Sequence, residues 1–129
     1  MAEVLITETV KTAEPSSFNT QEAFEKAVTR AEALAIELQQ TTPYRWRGRV
    51  RNNIKWYYSA RDVSDRITVW VNLYGDEIAN YSACVHEPEG TGAPSYRWGA
   101  GKTPAAAVAD ALKNAREFIA KQQAILEGL

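Results

Sequence analysis

The stretch ITVWVNLYGDEIANYSACV, Ile67 to Val85, decides the fold class. Ile67, Val69, Val71 and Leu73 alternate with Thr68, Trp70, Asn72 and Tyr74, the period of two that marks a strand with one apolar face. After Gly75 the alternation resumes, with Tyr81, Ala83 and Val85 set against Ser82, Cys84 and His86. For both apolar sets to share a face, the loop must hold an odd number of residues. Gly75-Asp76-Glu77 meets that condition, led by a glycine that tolerates a left-handed backbone. The reading is an antiparallel pair with one side made for a core.

Towards the N-terminus the strand character continues. All four tryptophans and all six tyrosines lie between Tyr44 and Trp98, and aromatic residues favour pleated surfaces. Asn52-Asn53 fits a two-residue hairpin turn, because asparagine accepts positive φ. That turn would set position 49 opposite 56 and position 47 opposite 58. Arg49 would then lie beside Trp56 and Arg47 beside Tyr58, with Arg45 and Arg51 in the same row. On the other side of the central pair, Glu87 to Pro94 reads as a polar loop and Ser95 to Trp98 as a short last strand.

Helices flank this core. Phe18, Asn19 and Glu22 form a staple and a box-like cap, and Phe24, Ala27, Val28, Ala31, Leu34, Ala35 and Leu38 recur at helical spacing until Pro43. The second helix starts with Thr103 as cap and Pro104 in its first turn. Its stripe is Val108, Ala111, Leu112, Ala115, Phe118, Ile119, Ile125 and Leu126, with Gly128 at the far end. Residues 1–17 read as a flexible arm that can add a strand to a sheet edge, and residues 18–129 as a single α+β domain. The expected architecture is a two-layer sandwich: a four- to five-stranded antiparallel sheet with the N-terminal and C-terminal helices on one face, in the order α-β-β-β-β-α.

Composition narrows the function. The 129 residues are 45% apolar and 24% charged, the balance of an ordinary globular chain. A lone cysteine, Cys84, excludes an intramolecular disulfide, and one histidine with one cysteine lacks the parts for most zinc sites or for Ser-His-Asp hydrolysis. No cofactor and no metal are expected. The acidic start does not resemble a signal peptide and no run has membrane-spanning length, so a cytoplasmic protein without membrane contact is expected.

The net charge of −1 hides an asymmetry. Residues 1–40 carry three bases against seven glutamates, whereas Arg45, Arg47, Arg49, Arg51, Lys55 and Arg61 follow Pro43 with no acid between them. An arginine over an aromatic ring keeps donors free for a phosphate, so an Arg/aromatic sheet face suits a nucleotide or a nucleic-acid phosphate. The expected ligand-binding residues are Arg45, Arg47, Arg49, Arg51, Trp56, Tyr58, Trp70, Asn72 and His86, with Lys102 and Thr103 at the second helix start. Solubility, or a homodimer interface, would also account for such a face. A non-enzymatic, self-associating binding protein is the leading expectation. The alternative is an inhibitor or adaptor that docks the same face on an acidic protein and takes no small ligand.

Two motifs bear on chemistry. Gly99-x-Gly101-Lys102-Thr103 leads into a helix as phosphate loops do, but Tyr96 stands where the first glycine of that motif belongs, so a capped strand-to-helix turn is the better reading. Cys84 and His86 share a strand face about 6.8 Å apart with no orienting residue evident, a poor nucleophile–base pair.

The stretch WGAGKTPAAAVADAL, Trp98 to Leu112, resembles the C-terminal helix region of double-stranded-RNA-binding domains, as does the helix–strands–helix order. That family grips phosphates with lysines at the helix start. Here Pro104, Ala105 and Ala106 leave only Lys102, so the resemblance implies the fold rather than duplex binding. The acidic arm, compact α+β core and strand–GxGKTP–helix ending also resemble small phage-encoded inhibitors of bacterial defence, including nucleotide-sequestering proteins. This implies an oligomer in the host cytoplasm that holds a signalling nucleotide or a defence protein without turnover.

Overall fold

A computed structural model describes residues 5–11, 21–52, 56–75, 77–86 and 97–129; for 5–11, 51, 52, 56 and 57 it describes the backbone alone. The fold is α+β, and within it residues 46–62 and 67–101 pair antiparallel, as expected from the alternating sequence. The chain divides into two compact units, Met1–Ser64 and Asp65–Leu129, and each builds a helix against three strands.

The first unit holds β1 (Leu5–Lys11), α1 (Gln21–Thr41), β2 (Trp46–Asn52) and β3 (Trp56–Asp62). Its core follows from the α1 stripe: Ala27, Ala31, Leu34, Ala35 and Leu38 are buried against Trp46, Val50, Tyr58 and Ala60. The alanines let the helix approach the strands closely, and each fully buried leucine adds roughly 1.5–3 kcal/mol. Side-chain bonds lock the helix end to β2. The Trp46 backbone N–H donates to Gln39 Oε1 at 2.9 Å, and the Trp46 indole N–H donates to Thr42 Oγ1 at 2.8 Å. Phe18 and Asn19, the expected staple and cap, lie outside the described residues. Within the expected arm, residues 5–11 form β1, which runs parallel to β2 with a bulge between Ile6 and Glu8. A long helical connection permits that parallel pairing.

The second unit holds β4 (Ile67–Tyr74), β5 (Glu77–Val85), β6 (Arg97–Gly101) and α2 (Pro104–Glu127). Val69 pairs with Ala83 and Val71 with Tyr81, so the two apolar sets share a face as expected. The means differs from the three-residue loop expected. Tyr74 pairs with Glu77 across a two-residue turn in which Gly75 has φ +64, and a bulge at Asn72/Leu73 supplies the odd residue instead. Gly99 follows on the same face, paired with Ala83, and α2 lies on it. A Cβ at Gly99 would come within 2.7 Å of Ala111 Cα, so glycine is what lets the helix sit this close. Two side chains of α2 then hold the rim of β6: Asp110 Oδ2 accepts from the Ala100 N–H at 3.0 Å, and Asn114 Nδ2 donates to the Trp98 carbonyl at 2.8 Å. Both groups belong to strand backbone that would otherwise offer itself for pairing.

The start of α2 is capped as expected. Thr103 Oγ1 accepts from the Ala106 N–H at 3.1 Å, with Pro104 in the first turn. Thr103→Ala is expected to cost about 1 kcal/mol and Thr103→Ser almost nothing, as read by urea unfolding. Only the first half of the α2 stripe is buried: Pro104, Ala107, Val108, Ala111 and Ala115 are inside, whereas Ile119, Ile125 and Leu126 are exposed. This corrects the expectation that the whole stripe covers the sheet.

Candidate functional site

The arginine row is built by the alternation of β2. Trp46, Gly48 and Val50 face α1 and are buried, which turns the intervening arginines to the opposite face. Arg45 and Arg47 are exposed and Arg49 is half-buried. The hairpin register sets their neighbours. Arg47 pairs with Arg61 and Arg49 with Ser59, while the Val63 N–H donates to the Arg45 carbonyl at 2.9 Å. On β2 and β3 the described positions of this row therefore hold four arginines and no acid, while on β1 the Glu8 position is in register with Arg49. Arg49 and Arg61 each already interact within the chain, so the outward cations are Arg45 and Arg47, for which no ion pair forms among the described residues.

This register overturns the expected one. Arg47 does not lie beside Tyr58, nor Arg49 beside Trp56; Tyr58 pairs with Val50 and Trp56 with Asn52. The hairpin connection is longer than Asn52-Asn53, and its odd displacement puts Tyr58 in the core row. There Tyr58 is buried, and its hydroxyl accepts from Arg30 Nη1 of α1 at 2.8 Å, with the Arg30 guanidinium 5.6 Å from the ring centre. Tyr58 thus serves the α1 packing. The side chains of Arg51 and Trp56 lie outside the described residues. Arg61 is the member of the row that the sequence reading missed. Matching polar row to polar row, 47, 49 and 51 against 61, 59 and 57, is the signal that finds it.

In the second unit the face away from α2 is partly closed. Thr68, Cys84 and His86, expected on an open surface, are all buried. His86 is bonded to Thr68, Nε2 to Oγ1 at 2.8 Å, and the Cys84 thiol donates to the Val85 carbonyl at 3.6 Å. His86 is therefore not a surface ligand group, and Cys84 is sealed from solvent. The open part of this face is a ring pair and an amide cluster. Half-buried Trp70 stacks on exposed Trp98 with centroids 5.1 Å apart, and Asn72 Nδ2 donates to Asn80 Oδ1 at 2.8 Å and Ser82 Oγ at 2.7 Å. Trp98 was not foreseen as a partner of Trp70. Its position opposite Cys84 on β6 brings it diagonally onto Trp70.

Lys102 and Thr103 are exposed at the start of α2. The backbone donors there are largely committed: Pro104 has none, Ala106 N–H goes to the Thr103 side chain, and Ala107 N–H goes to the Thr103 carbonyl at 3.1 Å. The turn is a helix cap by construction. Among the described residues, no three His, Cys, Asp or Glu side chains cluster as metal ligands, and no helix is long and apolar enough to cross a membrane. No protein-family model, curated protein or solved structure matches the chain.

Proposed function

We propose that this chain is a non-enzymatic binding protein that takes the phosphate of a nucleotide or nucleic acid on the arginine row of β2 and β3. The observation that carries the reading is the row itself: Arg47 directly opposite Arg61, flanked by Arg45 and Arg49, with no acid in the row on β2 or β3. On the β1 side Arg47 is in register with Leu5 and Arg49 with Glu8, so the acid position falls at Arg49. Like charges opposite one another on neighbouring strands cost a few tenths to about 1 kcal/mol. A bound phosphate reverses that sign, and guanidinium forks match its geometry bidentately. Arg45 and Arg47, being exposed, supply the donors. Arg49 and Arg61 contribute field from the strands behind.

Thermal shift against cyclic, linear and oligomeric nucleotides tests this. One phosphorylated ligand is expected to raise the midpoint by several degrees, and its unphosphorylated nucleoside is not. Arg45→Ala and Arg47→Ala are each expected to weaken that ligand about tenfold or more while leaving the ligand-free midpoint unchanged or slightly raised. A flat panel with intact folding contradicts the reading and favours an acidic protein surface as the partner.

A further inference from the structure

The α2 helix outruns the strands it packs on. Buried positions end at Ala115, and every residue from Ile119 onward is exposed. This overhang is nevertheless apolar along one side. Ile119 is 53% exposed, Ile125 60%, Leu126 68% and Leu129 97%. Leu112, Ala115, Ile119, Gln122 and Leu126 succeed one another along α2 at spacings of three and four, those of a coiled-coil seam. Ala115 is already buried within the copy, so the exposed part runs from Ile119, with Leu129 just past the helix end. Ile125 lies beside that seam and widens it, whereas the half-buried Phe118 on the same flank already has the Arg97 guanidinium 3.9 Å from its ring centre. Glu117, Lys121 and Glu127 fall on the far side of the helix, where they remain in water when the seam is covered.

We infer that a second copy of this chain covers the seam, the two α2 overhangs packing against each other about a twofold axis through Gln122. Two observations select a copy over another partner. Gln122 is the one polar residue of the seam and lies midway along its exposed part. Its amide both donates and accepts, so two Gln122 side chains satisfy each other when they share a layer. An apolar partner would leave that amide buried and unsatisfied. The area also fits: Ile119, Ile125, Leu126 and Leu129 as whole residues expose about 500 Å² per copy, so a pair that covers all four reaches about 1,000 Å², the lower bound for a specific interface. The contact is therefore a weak, concentration-dependent dimer, independent of the arginine row.

Sedimentation equilibrium of the full chain across a range of micromolar concentrations tests this. Wild type is expected to move from monomer to dimer mass as concentration rises. Leu126→Lys and Ile119→Lys are expected to stay monomeric with an unchanged circular dichroism spectrum, because both positions are solvent-exposed within one copy. Gln122→Leu is expected to tighten the dimer about tenfold, since it exchanges a polar layer for an apolar one. A wild-type monomer at every concentration overturns the inference. So does a dimer that survives Leu126→Lys, or a Gln122→Leu chain that associates no better.

Discussion

Gly99→Val is expected to prevent residues 65–129 from folding. The glycine sits on β6 beneath α2, and any Cβ there would fall within 2.7 Å of Ala111 Cα and of the Asp110 carbonyl carbon. These are backbone atoms of a helix, so no side-chain rotation relieves the clash. Nor can the helix simply lift, because Asp110 and Asn114 bond it to the Ala100 N–H and the Trp98 carbonyl on either side of the same glycine. Overpacking in a core costs about 1–3 kcal/mol when neighbours can yield, and the rigid case lies at or above the top of that range. Gly99→Ala alone is expected to lose about 3 kcal/mol, and valine adds its branches to the same collision. Gly75→Ala is the control. It meets open space, but its φ of +64 strains any other residue, so roughly 1–2 kcal/mol is expected there. Urea unfolding followed by circular dichroism measures the two alanine variants, and lost ellipticity without denaturant marks Gly99→Val. Equal costs at positions 75 and 99 would mean that close approach to α2 is not what demands Gly99.

Trp46→Ala carries the second large effect, in the other unit. Trp46 is 1% exposed, and its ring fills the space under the C-terminal turn of α1. Tyr44 packs edge-on against it at 6.3 Å. Truncating a buried aromatic to alanine costs about 3–5 kcal/mol, from lost burial and the cavity left behind. Trp46→Phe keeps most of the ring volume but removes the indole donor to Thr42 Oγ1 and is expected to cost about 1–2 kcal/mol. Because Trp46 fixes which face of β2 is buried, the alanine variant is also expected to lose phosphate binding. The phenylalanine variant keeps it. A stable Trp46→Ala chain would mean that the α1–β2 packing does not hold this unit together.

Periodic features were legible in the sequence, and features set by counting were not. The α1 stripe, the Thr103 cap and the alternation within β4 and within β5 each follow from spacing along one segment. The β2–β3 register depends on the number of residues in a turn, and an odd error there set Tyr58 in the arginine row when it belongs to the core. The apolar pattern of 46, 48, 50 against 58 and 60 would have corrected it. A helical stripe names the face to be covered without naming the cover. That is why Ile119 and Leu126 read as core although the strands do not reach them. Thr68, Cys84 and His86 read as surface because alternation marks polarity, while burial depends on what lies over the face. Trp98 could be placed on Trp70 only once the pairing of β6 was known.

The central claim is that Arg45 and Arg47 meet a phosphate. NMR titration of the arginine Nε–H resonances, with a nucleoside triphosphate and with the matching nucleoside, addresses it most directly. The Arg45 and Arg47 signals, assigned through their alanine variants, are expected to shift and saturate with the triphosphate and to stay in place with the nucleoside. Both signals standing still at saturating triphosphate, or moving equally with the nucleoside, would contradict the account.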